Sequence, residues 1–474
     1  MSKLTNANLI FMVDSYKISH PTQFPTGTEY TQYYIESRGG LFDYVMANGS
    51  IELAHTLEAG ITVADVEEAN ALFNLHFGRD LFNYTGWMII ATELNGKLPL
   101  RIRALKEGTP VKVKTAMVLI ENTDPRFGWL PGHFETKALR SIWYPSTVGT
   151  ISMQAKKIIA KFLKMTTEDE VIPGVLPFRL HDFGARGVSS GESAAIGGLA
   201  HLYNFMGTDG IEALVYASKL FRNADCIGYS IPAREHSTTT IYGELFEDQA
   251  FLNSINQWGD GIYACVMDSY DYEDAVNRVS TGDIRKAIEA HGGTFVIRPD
   301  SGVPVDVVMK ALYILERNIG VTYNKKGYKV LPKNYRIIQG DGVNVEEIGR
   351  ILSWMEANRW SAENIAFGMG GGLLQQLDRD TQRFAMKCCS AIVEGVERDV
   401  FKAPKTDMNK ASKKGYLDTV VIDGELVTVA TGQFGKVLDN TAMSVIFENG
   451  VVFRDNLPGI EEIRETSNQY ALAA

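Results

Sequence analysis

At 474 residues the chain is longer than one hydrophobic core ordinarily serves, so two domains are expected. Its 45% hydrophobic and 22% charged content is that of a globular protein, and a net charge of −10 argues against nucleic acid or an anionic membrane as its main partner. The four cysteines, Cys226, Cys265, Cys388 and Cys389, form neither a CxxC pair nor a disulfide framework, and no run approaches the roughly 20 apolar residues of a membrane span. The first residues lack a basic stretch followed by a sustained apolar core, so a reduced, soluble, cytoplasmic protein is expected.

The chain opens with Asp14-Ser15-Tyr16-Lys17 and a series of Pro/Thr/Gly turns. Residues 29–38, EYTQYYIESR, alternate and are rich in aromatics, which predicts a strand whose tyrosines pack. Two helical patterns lie between residues 49 and 82. Residues 98–120 read as a β unit turning at Gly108-Thr109-Pro110, and helical spacing returns over 135–143 and 150–164.

From residue 178 the texture changes. Six apolar runs end in polar or glycine-rich tips: FRLHDF (178–183), CIGYS (226–230), YACVMDS (263–269), FVIRPDSG (295–302), YRIIQGDG (335–342) and IAFGMGGG (365–372). Helical patterns over 238–256, 272–290, 305–318 and 345–358 separate several of them. Strand-helix alternation at this rhythm predicts a parallel sheet, and its repetition favours a closed (β/α) barrel with its chemistry at the strand tips. Residues 384–393, FAMKCCSAIV, read as a seventh strand, and a last one is not placed. Beyond residue 400 the pattern breaks into a lysine-bearing loop and a hairpin turning at Asp423-Gly424. The expected class is therefore α/β: a (β/α) barrel-like domain over 146–400, beside a discontinuous β-rich α+β domain formed by 1–145 and 401–474.

Pooled, the tips hold the acids Asp182, Asp268, Asp300 and Asp341 and the bases Arg186, His236 and Arg298, joined from later segments by Arg379, Lys387, Lys402 and Lys410. Arginine forks bind phosphate oxygens, carboxylates hold Mg²⁺ directly or through water, and backbone N–H groups of glycine-rich turns bind phosphate. Mixed around one mouth, these groups suit a multiply phosphorylated substrate with a divalent metal. Plainer readings stand beside this one. GMGGG also makes a simple turn, Asp300 also caps a helix, and His181 also serves as a hydrogen-bonded core residue. His236 lies just past a tip with Glu235 adjacent, where a carboxylate can orient it as base or nucleophile. HExxH, a Cys/His zinc cluster, GxxxxGK[ST] and a GxGxxG after a first strand are all absent.

Taken together, DSYKISH, LHDFGARGVSS, NFMGTDG, YSIPAREHSTTT, MDSYD, IRPDSG, IIQGDG, NIAFGMGGGLLQQLDRDTQRFAMKC and FKAPKTDMNKASKKG resemble the nicotinamide phosphoribosyltransferase family, of the type II phosphoribosyltransferase class. These blocks run in order from about residue 14 to 415. The resemblance implies condensation of nicotinamide with 5-phosphoribosyl-1-pyrophosphate to the mononucleotide and pyrophosphate, with Mg²⁺, in NAD salvage. It further implies a homodimer whose active sites lie at the barrel mouths and the subunit interface.

Residue by residue, it implies that Phe183 and Tyr16, the latter from the other subunit, stack on the nicotinamide ring, and that Asp209 accepts a hydrogen bond from the carboxamide. Arg186 and Arg298 would hold phosphate oxygens, with Arg38, Lys387, Lys402 and Lys410 around the diphosphate. Asp300 and Asp341 would take ribose hydroxyls, Gly340, Gly371 and Arg379 the 5-phosphate, and Asp268 the hydrated metal. His236 matches the family histidine that ATP phosphorylates, with Glu235 expected to orient it. Two positions depart from the pattern: Ala185 is small where relatives carry a larger residue, and Arg234 puts a bulky cation beside His236. The competing readings are a nicotinate-specific enzyme and a non-catalytic binding relative.

Overall fold

The computed structural model describes residues 8–221, 226–406 and 411–473. The chain divides into two compact units, Met1–Thr147 with Asp378–Ile463, and Val148–Leu377 with Arg464–Ala474.

The first unit is built on an antiparallel sheet of seven strands, in the order Val396–Asp399, Phe384–Val393, Thr28–Ser37, Ala116–Asn122, Leu100–Ala104, Ser444–Glu448 and Val451–Val452. The predicted strand at 29–38 is thus central, and Tyr34 and Ile35 are buried in it. Trp87, Phe127 and Phe134 fill the same core, each removing on the order of 2–3 kcal/mol worth of apolar surface from water. Leu417–Ile422 pairs with Glu425–Ala430, and the turn residues Asp423 (φ 52°) and Gly424 (φ 81°) both adopt the positive φ that a type I′ hairpin turn needs.

Two expectations are corrected in this unit. Phe384–Val393 is not a seventh barrel strand; it pairs antiparallel with Thr28–Ser37, with Tyr34 opposite Lys387. A ten-residue apolar run reads alike for a parallel strand and for an antiparallel one covered on both faces, so the run itself does not discriminate. The later division of the chain accordingly falls at 377/378, not at 400, and the residues from Arg464 onward belong to the second unit.

The second correction concerns the helices expected at 135–143 and 150–164, which are one helix, Glu135–Thr166, with Pro145 inside it. Pro145 has no N–H for the Ser141 carbonyl. Gly49 comes so close to that carbonyl that a Cβ would sit 1.8 Å from it, while Asn48 Nδ2 bonds the Pro145 carbonyl at 3.1 Å.

In the second unit six parallel strands run in the order Gly207–Thr208, Leu180–Asp182, Ile365–Met369, Tyr335–Gln339, Thr294–Arg298 and Ile262–Val266. The two edges are joined by the stretch 229–233. Tyr229 bridges to Gly207 and Ala233 to Ala264, both in parallel sense, so seven segments close a ring. Amphipathic helices cover it; in Tyr272–Val279, for example, Ala275, Val276 and Val279 are buried while the acidic side faces out. Arg464, near the chain's end, donates through Nε to the Leu202 carbonyl at 3.0 Å. Among the described residues no helix is long and apolar enough to cross a membrane.

Candidate active site at the strand tips

Every parallel strand ends at the same mouth, because strands that share a direction share an end. There the second unit holds a cavity of about 460 Å³, lined by Phe183, Arg298, Asp300 and Gly340 from the predicted tips together with Arg186 and Asp209.

Its apolar end is set by Phe183. The Phe183 N–H donates to the Met369 carbonyl at 3.0 Å, and the ring lies directly on Gly368 and Gly340. A Cβ at Gly368 would fall 2.0 Å from Phe183 Cε2, so only glycine leaves room for the ring at this level. Ile231 and Ile338 also line the wall, giving an aromatic-sized slot.

Opposite chemistry stands beside it. Asp209 follows the short strand Gly207–Thr208, and its Oδ1 accepts from Ser230 Oγ at 2.5 Å. Its own N–H donates to the Asp182 carbonyl at 3.0 Å, which ties two neighbouring tips together. Asp182 is buried; its Oδ1 accepts from the Gly184 N–H at 2.7 Å, and its Oδ2 has no hydrogen-bond partner. Burial, helped by the Asp209 and Glu212 carboxylates, pushes the Asp182 carboxyl up to about 6 against the pull of the Gly184 bond. His181 keeps the plainer of its two readings: its Nε2 meets the Phe178 carbonyl at 3.1 Å, its ring lies on Gly207, and burial lowers its pKa.

The polar end is a chain of alternating charge. Arg298 donates through one terminal nitrogen to Asp300 Oδ2 at 2.9 Å, and its buried Nε is unpartnered. His236 has Nε2 at 3.0 Å from Asp268 Oδ1 and Nδ1 at 3.7 Å from Asp300 Oδ2. Asp268 also accepts from Ser301 Oγ. Glu235 does not orient the histidine, contrary to expectation. It is exposed and takes the Ser237 hydroxyl instead, because its side chain leaves the helix start on the solvent side.

Arg234 is likewise not a neighbour of the imidazole. Its buried guanidinium turns into the surrounding helices, donating to Ser254 Oγ (2.5 Å), the Thr238 carbonyl (2.5 Å) and Asn253 Oδ1 (2.7 Å). Ala185 lines the cavity.

Asp341 and Gly371 occupy adjacent tips without lining the cavity; the Asp341 carbonyl accepts from Gln339 Nε2 at 2.8 Å, and Gly371 begins the turn Gly371–Leu374. Tyr16, Arg38, Arg379, Lys387 and Lys402 belong to the first unit. There Tyr16 is 60% exposed, Arg379 pairs with Asp380 at 3.3 Å, and the Arg38 Nε is buried without a partner. Lys410 lies outside the described residues. Ser230 and Ser301 are not singled out in the sequence although both lie in its tips; their hydrogen bonds to Asp209 and Asp268 mark them.

Among the described residues no group of three or more His, Cys, Asp or Glu is gathered tightly enough to hold a metal by protein ligands alone. Asp268 and Asp300, from the tips of neighbouring strands, nevertheless approach one imidazole from two sides. One or two carboxylates completed by substrate oxygens and water is the donor set Mg²⁺ ordinarily takes.

Residues 178–441 match the model of the nicotinate phosphoribosyltransferase family, and residues 8–102 match that of the nicotinamide phosphoribosyltransferase N-terminal domain. A protein of Xanthomonas campestris pv. campestris (strain 8004), named nicotinamide phosphoribosyltransferase, is 45% identical over 462 residues, spanning 94% of this chain and 96% of that protein. The chain belongs to the nicotinamide phosphoribosyltransferase family. A relative of the same name from Acinetobacter baylyi is 29% identical, over 97% of this chain and 96% of its own. The fold of this family member is shared with nicotinate-nucleotide pyrophosphorylase from Pyrococcus furiosus, at a TM-score of 0.63 and 15% identity over 100% of this chain and 98% of that one.

Proposed function

We propose that this chain is a nicotinamide phosphoribosyltransferase, a pentosyltransferase that condenses nicotinamide with 5-phosphoribosyl-1-pyrophosphate to nicotinamide mononucleotide and pyrophosphate. The observation that carries the reading is the pairing, in one cavity, of the Phe183 slot and the Ser230-held Asp209 with the Arg298–Asp300 pair.

The pyridine ring lies on Phe183 with its carboxamide toward Asp209. An ionised carboxylate there accepts from an amide N–H but repels nicotinate, so the acid is excluded by charge as well as by lost bonding. Arg186 and Arg298 take diphosphate oxygens, Asp300 and Asp341 the ribose hydroxyls, and Gly340, Gly371 and Arg379 the 5-phosphate. As the bond from C1′ to the diphosphate oxygen breaks, its electron pair leaves with pyrophosphate and the sugar gains oxocarbenium character. The ring nitrogen's lone pair then closes on C1′. No proton is removed from the nucleophile, so the protein's work is to hold the reactants and stabilise the departing charge. Asp268, with Asp300, would hold a hydrated Mg²⁺, which supplies positive charge to the diphosphate.

His236 is the residue that ATP phosphorylates in this reading. With the proton on Nε2 and directed to Asp268, Nδ1 carries the lone pair that attacks the γ-phosphorus while the bond to ADP breaks. The chain acts as a homodimer in which a second copy supplies Tyr16, with Arg38, Lys387, Lys402 and Lys410 around the diphosphate.

The test is product formation from phosphoribosyl pyrophosphate and Mg²⁺, with nicotinamide and nicotinic acid in parallel, each with and without ATP. Mononucleotide from nicotinamide is the expected result. Product mainly from nicotinic acid would overturn the specificity, and no product from either would overturn the enzyme reading.

A further inference from the structure

In the first unit the strand Thr28–Ser37 does more than join its two neighbours in the sheet. Tyr34 lies opposite Lys387. Residues directly opposite in an antiparallel pair share a face, as do residues two apart on one strand, so Tyr34, Glu36 and Lys387 stand on one face of the sheet. Tyr34 is 1% exposed, yet its hydroxyl reaches beyond the sheet and accepts the Lys413 N–H at 3.0 Å. The Lys413 ammonium lies 5.6 Å from the Tyr34 ring centroid and bonds Glu36 Oε2. Lys413 is thus fixed, at its backbone and at its side chain, by two residues of one strand.

Lys413 in turn leads to Lys402. Its neighbour Ser412 donates its N–H to the Lys402 carbonyl at 3.0 Å, and the Lys402 N–H donates to Ser412 Oγ at 3.0 Å. The ends of this lysine-bearing stretch meet at one acceptor, the Cys389 carbonyl, which takes the Val400 and Gly415 N–H groups at 2.9 Å each. A continuous path therefore runs from Tyr34 through Lys413 and Ser412 to the Lys402 backbone. A lysine carries its charge on a flexible stem, so a fixed backbone is what gives the ammonium a defined reach.

We propose that Tyr34 is a positioning residue for the diphosphate: by holding Lys413, and through it Ser412, it sets Lys402 in register with Lys387. This rests on the assignment of Lys387 and Lys402 to the diphosphate given above. Loss of the Tyr34 hydroxyl leaves the Lys413 N–H without its acceptor and releases the Lys402 backbone. Diphosphate binding then weakens, and nicotinamide binding does not change.

The experiment is a double-mutant cycle on the full-length protein, read as KM for phosphoribosyl pyrophosphate at saturating nicotinamide and Mg²⁺. Lys402→Ala should raise that KM about 10-fold or more. Tyr34→Phe should raise it about 3- to 10-fold, with kcat and KM for nicotinamide within about twofold. In the Lys402→Ala background Tyr34→Phe should add less than about 1.5-fold, because the group it positions is gone. A merely structural role would add the same factor in both backgrounds. That result, or an unchanged KM in Tyr34→Phe alone, overturns the proposal. Should Tyr34→Phe fold poorly, Ser412→Ala cuts the same path at a half-buried residue and repeats the cycle with the same expected pattern. A wild-type KM in Lys402→Ala overturns the diphosphate assignment of Lys402, and the proposal with it. No product from the wild type overturns the functional reading instead.

Discussion

The imidazole of His236 is held most closely by Asp268, with Nε2 3.0 Å from Oδ1, and not by the glutamate beside it in sequence. A carboxylate that accepts the Nε2 proton's hydrogen bond fixes the neutral tautomer, which leaves the lone pair on Nδ1. Replacing Asp268 by Asn should lower the rate of acid-labile phosphate incorporation from ATP by about 10²- to 10⁴-fold. Glu235→Gln should change it less than about threefold. Phosphorus NMR of the denatured phosphoprotein should show the Nδ1 isomer; label on Nε2, or equal labelling of the two variants, would contradict this geometry.

Asp209 and Ser230 form the other decisive pair, at 2.5 Å. Asp209→Asn should shrink the preference for nicotinamide over nicotinic acid by about 10- to 100-fold in kcat/KM, because it removes the charge that repels the acid. Ser230→Ala should move selectivity the same way by only about 2- to 5-fold, since it frees the carboxylate without neutralising it. Competition kinetics with both substrates reads the two ratios, and unchanged selectivity in Asp209→Asn would remove Asp209 from the recognition site.

Asp182 gives a pH dependence of known sign. Its folded-state pKa, pushed up to about 6, lies above the unfolded value, so the folded state binds the extra proton. The stability that this proton contributes is complete below about pH 4 and is lost as pH rises through about 6. A permanently neutral Asp182→Asn does not lose it. The variant should therefore gain on the wild type by about 2–3 kcal/mol between pH 4 and pH 7. Urea unfolding of both proteins across that range gives the difference, and a pH-independent gap would show that Asp182 is not the titrating group.

Arg234 should matter for stability and little for chemistry. Arg234→Met removes one buried and two partly buried hydrogen bonds and should cost about 2–4 kcal/mol in denaturant unfolding. Labelling of His236 should persist within about threefold. A large loss of labelling in a stably folded variant would instead place the guanidinium near the imidazole.

The tips were legible because the periods of strand and helix and the glycine punctuation are local properties of a chain. FRLHDF, FVIRPDSG and IAFGMGGG announce themselves within a few residues, and a shared strand direction brings their ends to one mouth without further information. The family, too, was legible, since its blocks are contiguous. What locality could not supply is which tip meets which. The ring is closed by the proline-bearing stretch 229–233 through single bridges, a pattern too short to have a period.

The sequence by itself determined the α/β alternation, the hairpin at Asp423-Gly424, the set of ionisable tips and the family. Only the tertiary structure decided that Phe384–Val393 pairs with Thr28–Ser37, that Arg234 turns away from His236, and that Asp268, 32 residues along the chain, is the carboxylate that meets the imidazole. A residue's neighbours across space depend on how strands order and where side chains find satisfied donors and acceptors, and those are properties of the packed whole.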